Sequence, residues 1–87
     1  MAFRVELVAQ AARDLDALPD RNYRQLRTRI DALAENPYPP GVKRVQGGES
    51  LYRIRSGDYR ILYRVERRQL LVLVVRIGHR REVYRGL

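Results

Sequence analysis

Alternating apolar and polar residues predict a β-hairpin in the second half of the chain. In the first predicted strand, residues 51–55, Arg53 and Arg55 alternate with apolar side chains. Successive side chains of a strand point to opposite faces, so the two arginines share one face. The second predicted strand, residues 59–65, adds Arg60 to that face. The intervening Ser-Gly-Asp is typical of a tight hairpin turn.

Three further segments have strand patterns. Residues 70–77 are apolar at nearly every position, which is typical of a central strand covered on both faces. Residues 3–7 alternate with a period of two and should join the same sheet. Residues 42–45 form a short strand or an edge segment between a proline-rich connector and a pair of glycines.

Between these strands the apolar period changes and predicts two helices. Ala12, Leu15 and Leu18 lie three residues apart, so we expect a short amphipathic helix that Pro19 ends. We expect the Asp20 carboxylate to cap the second helix by accepting from its first N–H groups. The apolar stripe of that helix consists of Tyr23, Leu26, Ile30, Leu33 and Ala34. The short break between the helices predicts a helical hairpin.

These elements predict an α+β fold in one domain that spans residues 1–87. We expect a small antiparallel sheet in the order β-α-α-β-β-β, with the N-terminal helical hairpin packed on one face. The opposite face should then display Arg53, Arg55 and Arg60.

The basic charge is concentrated in the strand-rich half. The chain has 18 basic and 10 acidic residues and a net charge of +8. Residues 1–42 contain six of each, so the whole excess lies in residues 43–87. Such asymmetry indicates a polyanionic partner, and nucleic acid is the usual one. All basic residues except Lys43 are arginine, which favours bidentate phosphate contacts.

Composition argues against several other classes. The chain has no cysteine and one histidine, so neither a disulfide framework nor a cysteine- or histidine-rich metal site is expected. The longest apolar run, residues 70–75, is far shorter than the roughly 20 residues that span a membrane. The first ten residues lack the apolar core of a secretory signal. We therefore expect a cytoplasmic protein with no cofactor, no metal and no membrane partner.

A polar segment follows the last predicted strand and supplies the remaining site candidates. We expect the small Gly78 to let the chain turn sharply, so that the next side chains return to the arginine face. These side chains are His79, Arg80, Arg81 and Tyr84. Cations with aromatic rings are what a single-stranded nucleic-acid site needs.

The same groups also fit the chemistry of RNA cleavage. Hydrolysis through the ribose 2′-hydroxyl needs a general base, an acid for the leaving oxygen and cations for the developing charge. Arginine stabilises charge but stays protonated. Histidine is the side chain that ordinarily titrates near neutrality, whereas a tyrosine needs neighbouring cations to lower its pKa from about 10. His79 and Tyr84 therefore both remain candidates for the base.

The motifs LYRIRSGDYRILYRV and GHRREVYR, with ARDLDALP near the N-terminus, resemble the RelE toxins of type II toxin–antitoxin systems, within the RelE/ParE superfamily. The resemblance covers essentially the whole chain. It implies a RelE-like fold and a metal-independent endoribonuclease that cleaves messenger RNA in the ribosomal A site through the 2′-hydroxyl.

The resemblance also implies roles for individual residues. Arg53 and Arg55 match basic residues of the family sheet that are often lysine. Arg60, Arg80 and Tyr84 match the family's catalytic arginines and C-terminal tyrosine. Because both sheet positions are arginine here, a lysine cannot act as the base, and that role shifts to Tyr84 or His79. Arg81 is expected to bind substrate.

Partners and alternative functions follow from the same resemblance. It implies a RelB-like antitoxin that is acidic and partly disordered, and binding of operator DNA by the toxin–antitoxin complex. A ParE-like toxin that inhibits DNA gyrase would have the same fold. A non-catalytic nucleic-acid-binding corepressor is the third reading of the charge pattern.

Overall fold

The computed structural model describes residues 2–46 and 50–79 as one sheet with two helices. In chain order the elements are β1 (Arg4–Leu7), α1 (Ala9–Asp16), α2 (Asp20–Ala32), β2 (Lys43–Arg44), β3 (Leu51–Ser56), β4 (Tyr59–Glu66) and β5 (Leu71–His79), with a 3₁₀ turn at Arg67–Gln69. The strand order is β1-β5-β4-β3-β2. The apolar strand β5 is therefore a central rather than an edge strand, as predicted, but the helices cover only one of its faces, and Leu73 and Val75 on the other face are partly buried.

The α+β class is confirmed, with one pairing that differs from a wholly antiparallel sheet. Strands β2 to β5 pair antiparallel, whereas β1 pairs parallel to β5. In the register, Arg4 lies opposite Leu71 and Leu7 opposite Val74. The sheet is thus mixed, and the first strand of the chain lies beside the last.

The core lies between the helical hairpin and one face of the sheet. The helices contribute Ala11, Leu15, Leu26 and Ile30, and the residue after α2 contributes Leu33, all of which are buried. The sheet contributes Ile54, Ile61, Tyr63, Val65, Val72, Val74 and Ile77. Side chains at helical spacing thus pack on side chains at strand spacing, as the periodicities predict.

The predicted cap of the second helix is wrong. Asp20 is the first residue of α2 and Pro19 is the N-cap residue, without a side-chain cap from the described residues. Proline suits this place because its backbone is extended (ψ 151°) and its carbonyl accepts from the N–H of Tyr23 at 2.9 Å. The Asp20 carboxylate instead lies in the first turn, where the helix dipole favours negative charge.

A β-bulge divides the central strand β5 into two halves. Strand β4 pairs Leu62 with Arg76 but Tyr63 with Val74, so Val75 is an extra residue on β5. Before the bulge, Val72 and Val74 face the helices, and after it Ile77 does. The extra residue therefore shifts which alternate positions of β5 face the core.

The side chain of Asp14 accepts hydrogen bonds from the edge of β5 beyond the end of β1. Its Oδ2 accepts from the backbone N–H of Ile77 at 3.0 Å and from Nε of Arg76 at 3.2 Å. The Asp14 side chain is only 13% exposed. Helix α1 thus supplies a hydrogen-bond partner where strand pairing with β1 has stopped.

A buried phenol joins the sheet to the connector after α2. The Tyr63 hydroxyl donates to the carbonyl of Pro37 at 2.7 Å. Its ring also lies near Tyr52, with 6.1 Å between ring centroids. Burial, with the neighbouring Tyr38 and Tyr52, raises the pKa of Tyr63 well above its usual value. The connector is therefore anchored from inside the core.

We predict that Asp14→Ala destabilises the protein by about 2 kcal/mol, because it removes the acceptor of the part-buried Ile77 N–H and a charged partner of Arg76. Urea unfolding measures the loss, and amide hydrogen exchange at Ile77 should accelerate. Asp16→Ala is the matched control, since Asp16 is exposed at the end of the same helix. Equal unfolding free energies for the two variants would contradict the proposed role of Asp14.

We predict that Tyr63→Phe costs about 1 kcal/mol at neutral pH through the lost hydrogen bond. It should also change the alkaline limb of stability. The folded-state pKa of Tyr63 is raised, so its stabilisation is complete below about pH 10, the unfolded value, and is lost as the pH rises through the folded value. Urea unfolding between pH 7 and pH 11.5 measures the free energy of unfolding, which should decline less steeply at alkaline pH in the variant. Identical slopes for the two proteins would refute the contribution of Tyr63 ionisation.

Candidate functional site

The β3–β4 hairpin places two arginines side by side. Arg55 and Arg60 are direct cross-strand partners, and the strands close through Gly57 and Asp58. Gly57 has a φ of +60°, a left-handed conformation that glycine adopts without strain. The tight turn is therefore what holds two positive charges together on one face.

Arg53 extends this cationic patch toward the edge of the sheet. It lies opposite Leu62 on β4 and opposite Lys43 on β2. Tyr59, Ile61 and Tyr63 alternate with these positions and pack toward the helices. The arginines thus lie on the face without helices, as predicted.

The same face also carries a small apolar cluster. Leu62 is fully buried and Leu51 nearly so, and they pack with Val45 and Val75 in a second, smaller cluster. The cations therefore lie beside an apolar floor. We name the side chains of Arg53, Arg55 and Arg60 the arginine face.

A small pocket opens at the hairpin end of the arginine face. Its volume is about 160 Å³, and its described lining is Arg55, Gly57, Asp58, Tyr59 and Arg60. Arg60 is half-buried, whereas Arg55 is exposed. Two guanidinium groups at one concavity can hold a phosphate and stabilise charge that develops on it. We call this concavity the hairpin pocket.

Asp58 is a pocket residue that the sequence analysis assigned only to the turn. It is the one acidic residue of the described pocket lining. The hairpin register could have revealed it, because the two-residue turn Gly57-Asp58 joins Ser56 and Tyr59, one residue beyond the pair Arg55 and Arg60. Lys43 was likewise missed, since its pairing with Arg53 depends on a two-residue strand.

His79 does not lie on the arginine face. It is still part of β5 and lies opposite Tyr59, with 6.0 Å between the ring centroids and a T-shaped arrangement. Tyr59 packs toward the helices, so His79 shares that side of the sheet. Gly78 pairs with Arg60 inside the strand, so the predicted sharp turn at Gly78 is wrong. The extra residue at Val75 reverses the alternation of β5, which explains why His79 lies on the side of the helices.

Three other predicted site residues, Arg80, Arg81 and Tyr84, lie outside the described residues. Within residues 2–46 and 50–79, acidic and histidine side chains form no cluster of three or more that would suit a metal ion. In the same part of the chain no helix is long and apolar enough to cross a membrane.

Comparison with known proteins assigns the chain to a family. The family model described as the ParE toxin of type II toxin–antitoxin system, parDE, matches residues 5–84. The RelE1 toxin relative from Methanocaldococcus jannaschii is 31% identical over 89 residues, which cover 99% of each chain.

Two solved toxin–antitoxin complexes contain chains of the same fold. The RelE–RelB complex of Pyrococcus horikoshii matches with a TM-score of 0.81 and 30% identity, covering 93% of this chain and 98% of that one. The RelBE2 complex of Mycobacterium tuberculosis matches with a TM-score of 0.79 and 28% identity, covering 92% and 100%. The chain therefore belongs to the RelE/ParE superfamily of toxins from type II toxin–antitoxin systems.

Proposed function

We propose that this toxin is a metal-independent endoribonuclease that cleaves messenger RNA in the ribosomal A site and so inhibits translation. The observation that carries the proposal is the cross-strand pair Arg55 and Arg60 at the hairpin pocket, with Arg53 beside it. Two guanidinium groups that line one concavity can bind the same phosphate group. The RelE names of its relatives support the same reading.

In this mechanism the scissile phosphate binds in the hairpin pocket. The guanidinium of Arg60 contacts a non-bridging oxygen and stabilises the phosphorane charge as the 2′-oxygen attacks in line. Arg53 and Arg55 hold the neighbouring phosphates, and Arg81 would add a further contact. A fixed cation is most effective where water is partly excluded, which fits the half-buried position of Arg60.

Proton transfer is assigned to the C-terminal residues. A base must reach the 2′-hydroxyl by hydrogen-bond distance, and His79 lies on the other side of the sheet from Arg60. Tyr84 is therefore the proposed general base, and neighbouring arginines would lower its pKa. Tyr84 takes the proton of the 2′-hydroxyl, the 2′-oxygen bonds to phosphorus to give a 2′,3′-cyclic phosphate, and the bond from phosphorus to the 5′-oxygen breaks. Arg80 stabilises the leaving 5′-oxygen, which takes up a proton from water. His79 keeps an indirect part through its contact with Tyr59.

The proposed partner is a RelB-like antitoxin. Matching RelE chains were solved in complex with RelB in Pyrococcus horikoshii and with their antitoxin in Mycobacterium tuberculosis. The charge of +8 suits an acidic partner that orders on binding. We propose that the complex binds operator DNA and that the free toxin acts in the cytoplasm.

Induced expression of the toxin should arrest growth. Growth should return with each of the variants Arg60→Ala, Arg80→Ala and Tyr84→Phe. Each variant should lower the cleavage rate at least about 100-fold, which is the usual effect of losing one charge-stabilising or proton-transfer group. Mapping of messenger RNA ends in a translation extract measures cleavage. Toxin that is treated with EDTA and dialysed before it is added to the extract tests metal independence. His79→Ala should retain more activity than Tyr84→Phe.

The control for this experiment is Arg21→Ala, an exposed change on α2 that removes the same charge. Circular dichroism checks that each variant folds. Intact messages at toxin excess would refute the nuclease, and full toxicity of all three site variants would refute the site.

A second candidate function is inhibition of DNA gyrase, because the matching family model is described as a ParE toxin. The effect would then be on a protein, and Tyr84→Phe should remain toxic. A supercoiling assay with purified gyrase separates the two functions, since only the ParE reading predicts inhibition.

A third candidate is a non-catalytic nucleic-acid-binding corepressor, which the arginine face would also suit. RNA would then bind with a steep dependence on salt and remain intact. End mapping in the translation extract distinguishes this reading from the nuclease.

We predict that Arg55→Thr raises stability by about 0.5 kcal/mol at low salt, because it removes a like charge directly opposite Arg60. The gain should disappear in high salt through screening. Arg44→Thr is the control, since Arg44 is also an exposed strand residue but lies opposite Tyr52. Thermal unfolding at two salt concentrations measures both, and a less stable Arg55→Thr would show that this arginine serves the fold.

A further inference from the structure

A second concavity lies at the β2 edge of the sheet. It is an open groove of about 320 Å³ whose described lining is Arg29, Pro40, Gly41, Lys43, Arg53 and Arg55. Two of these cations belong to the arginine face, but Arg29 comes from α2 and Lys43 from the edge strand. We call this concavity the edge groove.

The edge groove is strongly cationic. Four of its six described lining residues are basic and none is acidic. Within residues 2–46 and 50–79, none of the four forms an ion pair with a carboxylate, whereas Arg27 on the same helix pairs with Asp31 at 3.3 Å. Four cations around one concavity repel one another, so the site suits a ligand with several negative charges.

The edge groove and the hairpin pocket are neighbours on the sheet. Arg55 lines both concavities, so they share a wall. Along β3, Arg53 and Arg55 are two residues apart, about 6.6 Å by strand geometry, and Lys43 lies opposite Arg53 on the next strand. A row of cations thus runs from Arg60 at the hairpin to Arg29 at the edge.

We propose that the edge groove binds the phosphodiester backbone of single-stranded RNA next to the nucleotide held in the hairpin pocket. Arg29 and Lys43 would contact phosphates beyond the cleavage site. The inference rests on the proposed ribonuclease function but assigns a separate contact, because neither residue lies in the hairpin pocket.

The lining favours a nucleic-acid backbone over a peptide. Peptides generally gain affinity from apolar anchors in desolvated pockets, and the described lining offers only Pro40 and Gly41 besides the cations. Backbone binding by contrast needs cations alone and tolerates an open groove. The position of Arg29 on α2 also means that the RNA would pass around the sheet edge toward the helices.

The test measures the affinity of fluorescein-labelled, uncleavable 2′-deoxy oligonucleotides of three, five, seven and nine nucleotides, by anisotropy. Affinity of the unmodified toxin should rise with length. In Arg29→Gln/Lys43→Gln the nine-nucleotide strand should bind about tenfold more weakly in low salt, and trinucleotide affinity should change little. The slope of log affinity against log salt should fall by about 1.4 for two lost phosphate contacts.

Arg21→Gln/Arg24→Gln is the matched control, because it removes two exposed cations from α2 that do not line the groove. If Arg29→Gln/Lys43→Gln binds the long strand as tightly as the unmodified toxin and remains toxic, the proposed role of the edge groove alone is overturned. Absence of binding by the unmodified toxin at every length would also overturn the edge groove, and end mapping in the translation extract tests the proposed function separately. Weakened binding of an acidic antitoxin peptide, with RNA affinity unaltered, would reassign the groove to a protein partner.

Discussion

The central position of β5 is the constraint on which the rest of the structure depends. This strand pairs parallel with β1 and antiparallel with β4, so every other element is arranged around it. Its residues Val72 and Val74 are fully buried against the helices, whereas Leu73 and Val75 on the other face are partly buried. The pairing of β1 with β5 adds the first strand to the edge of the sheet, and the helical hairpin that follows β1 covers one face of it.

Beyond Val74 this central strand depends on α1 rather than on β1. The bulge at Val75 breaks the alternation of β5, and the Asp14 carboxylate binds the strand again at Ile77. Pairing with β4 then continues to Gly78 and His79. The part of the strand that leads toward Arg80 is therefore positioned jointly by a β-bulge and by a carboxylate of the first helix.

The arginines of the arginine face lie on the side of the sheet that is packed less extensively. Their face carries only a small apolar cluster around Leu62, whereas the opposite face holds the main core. Repulsion between Arg55 and Arg60 does not disturb the packing of the main core, because neither arginine belongs to that core. The fold thus presents positive charge from a rigid hairpin, which suits recognition of phosphate better than a mobile loop would.

The sequence by itself determined the elements, the arginine face and the family, because hydrophobic periodicity and charge are local properties. It correctly placed Arg53, Arg55 and Arg60 on the face away from the helices. Only the tertiary structure decided the parallel pairing of β1, the extra residue at Val75 and hence the side on which His79 lies. A bulge of one residue reverses alternation without leaving a signal in an apolar run. The edge groove likewise needed the packing of α2 beside β2 and β3, which brings Arg29 to Lys43 from a distant part of the chain.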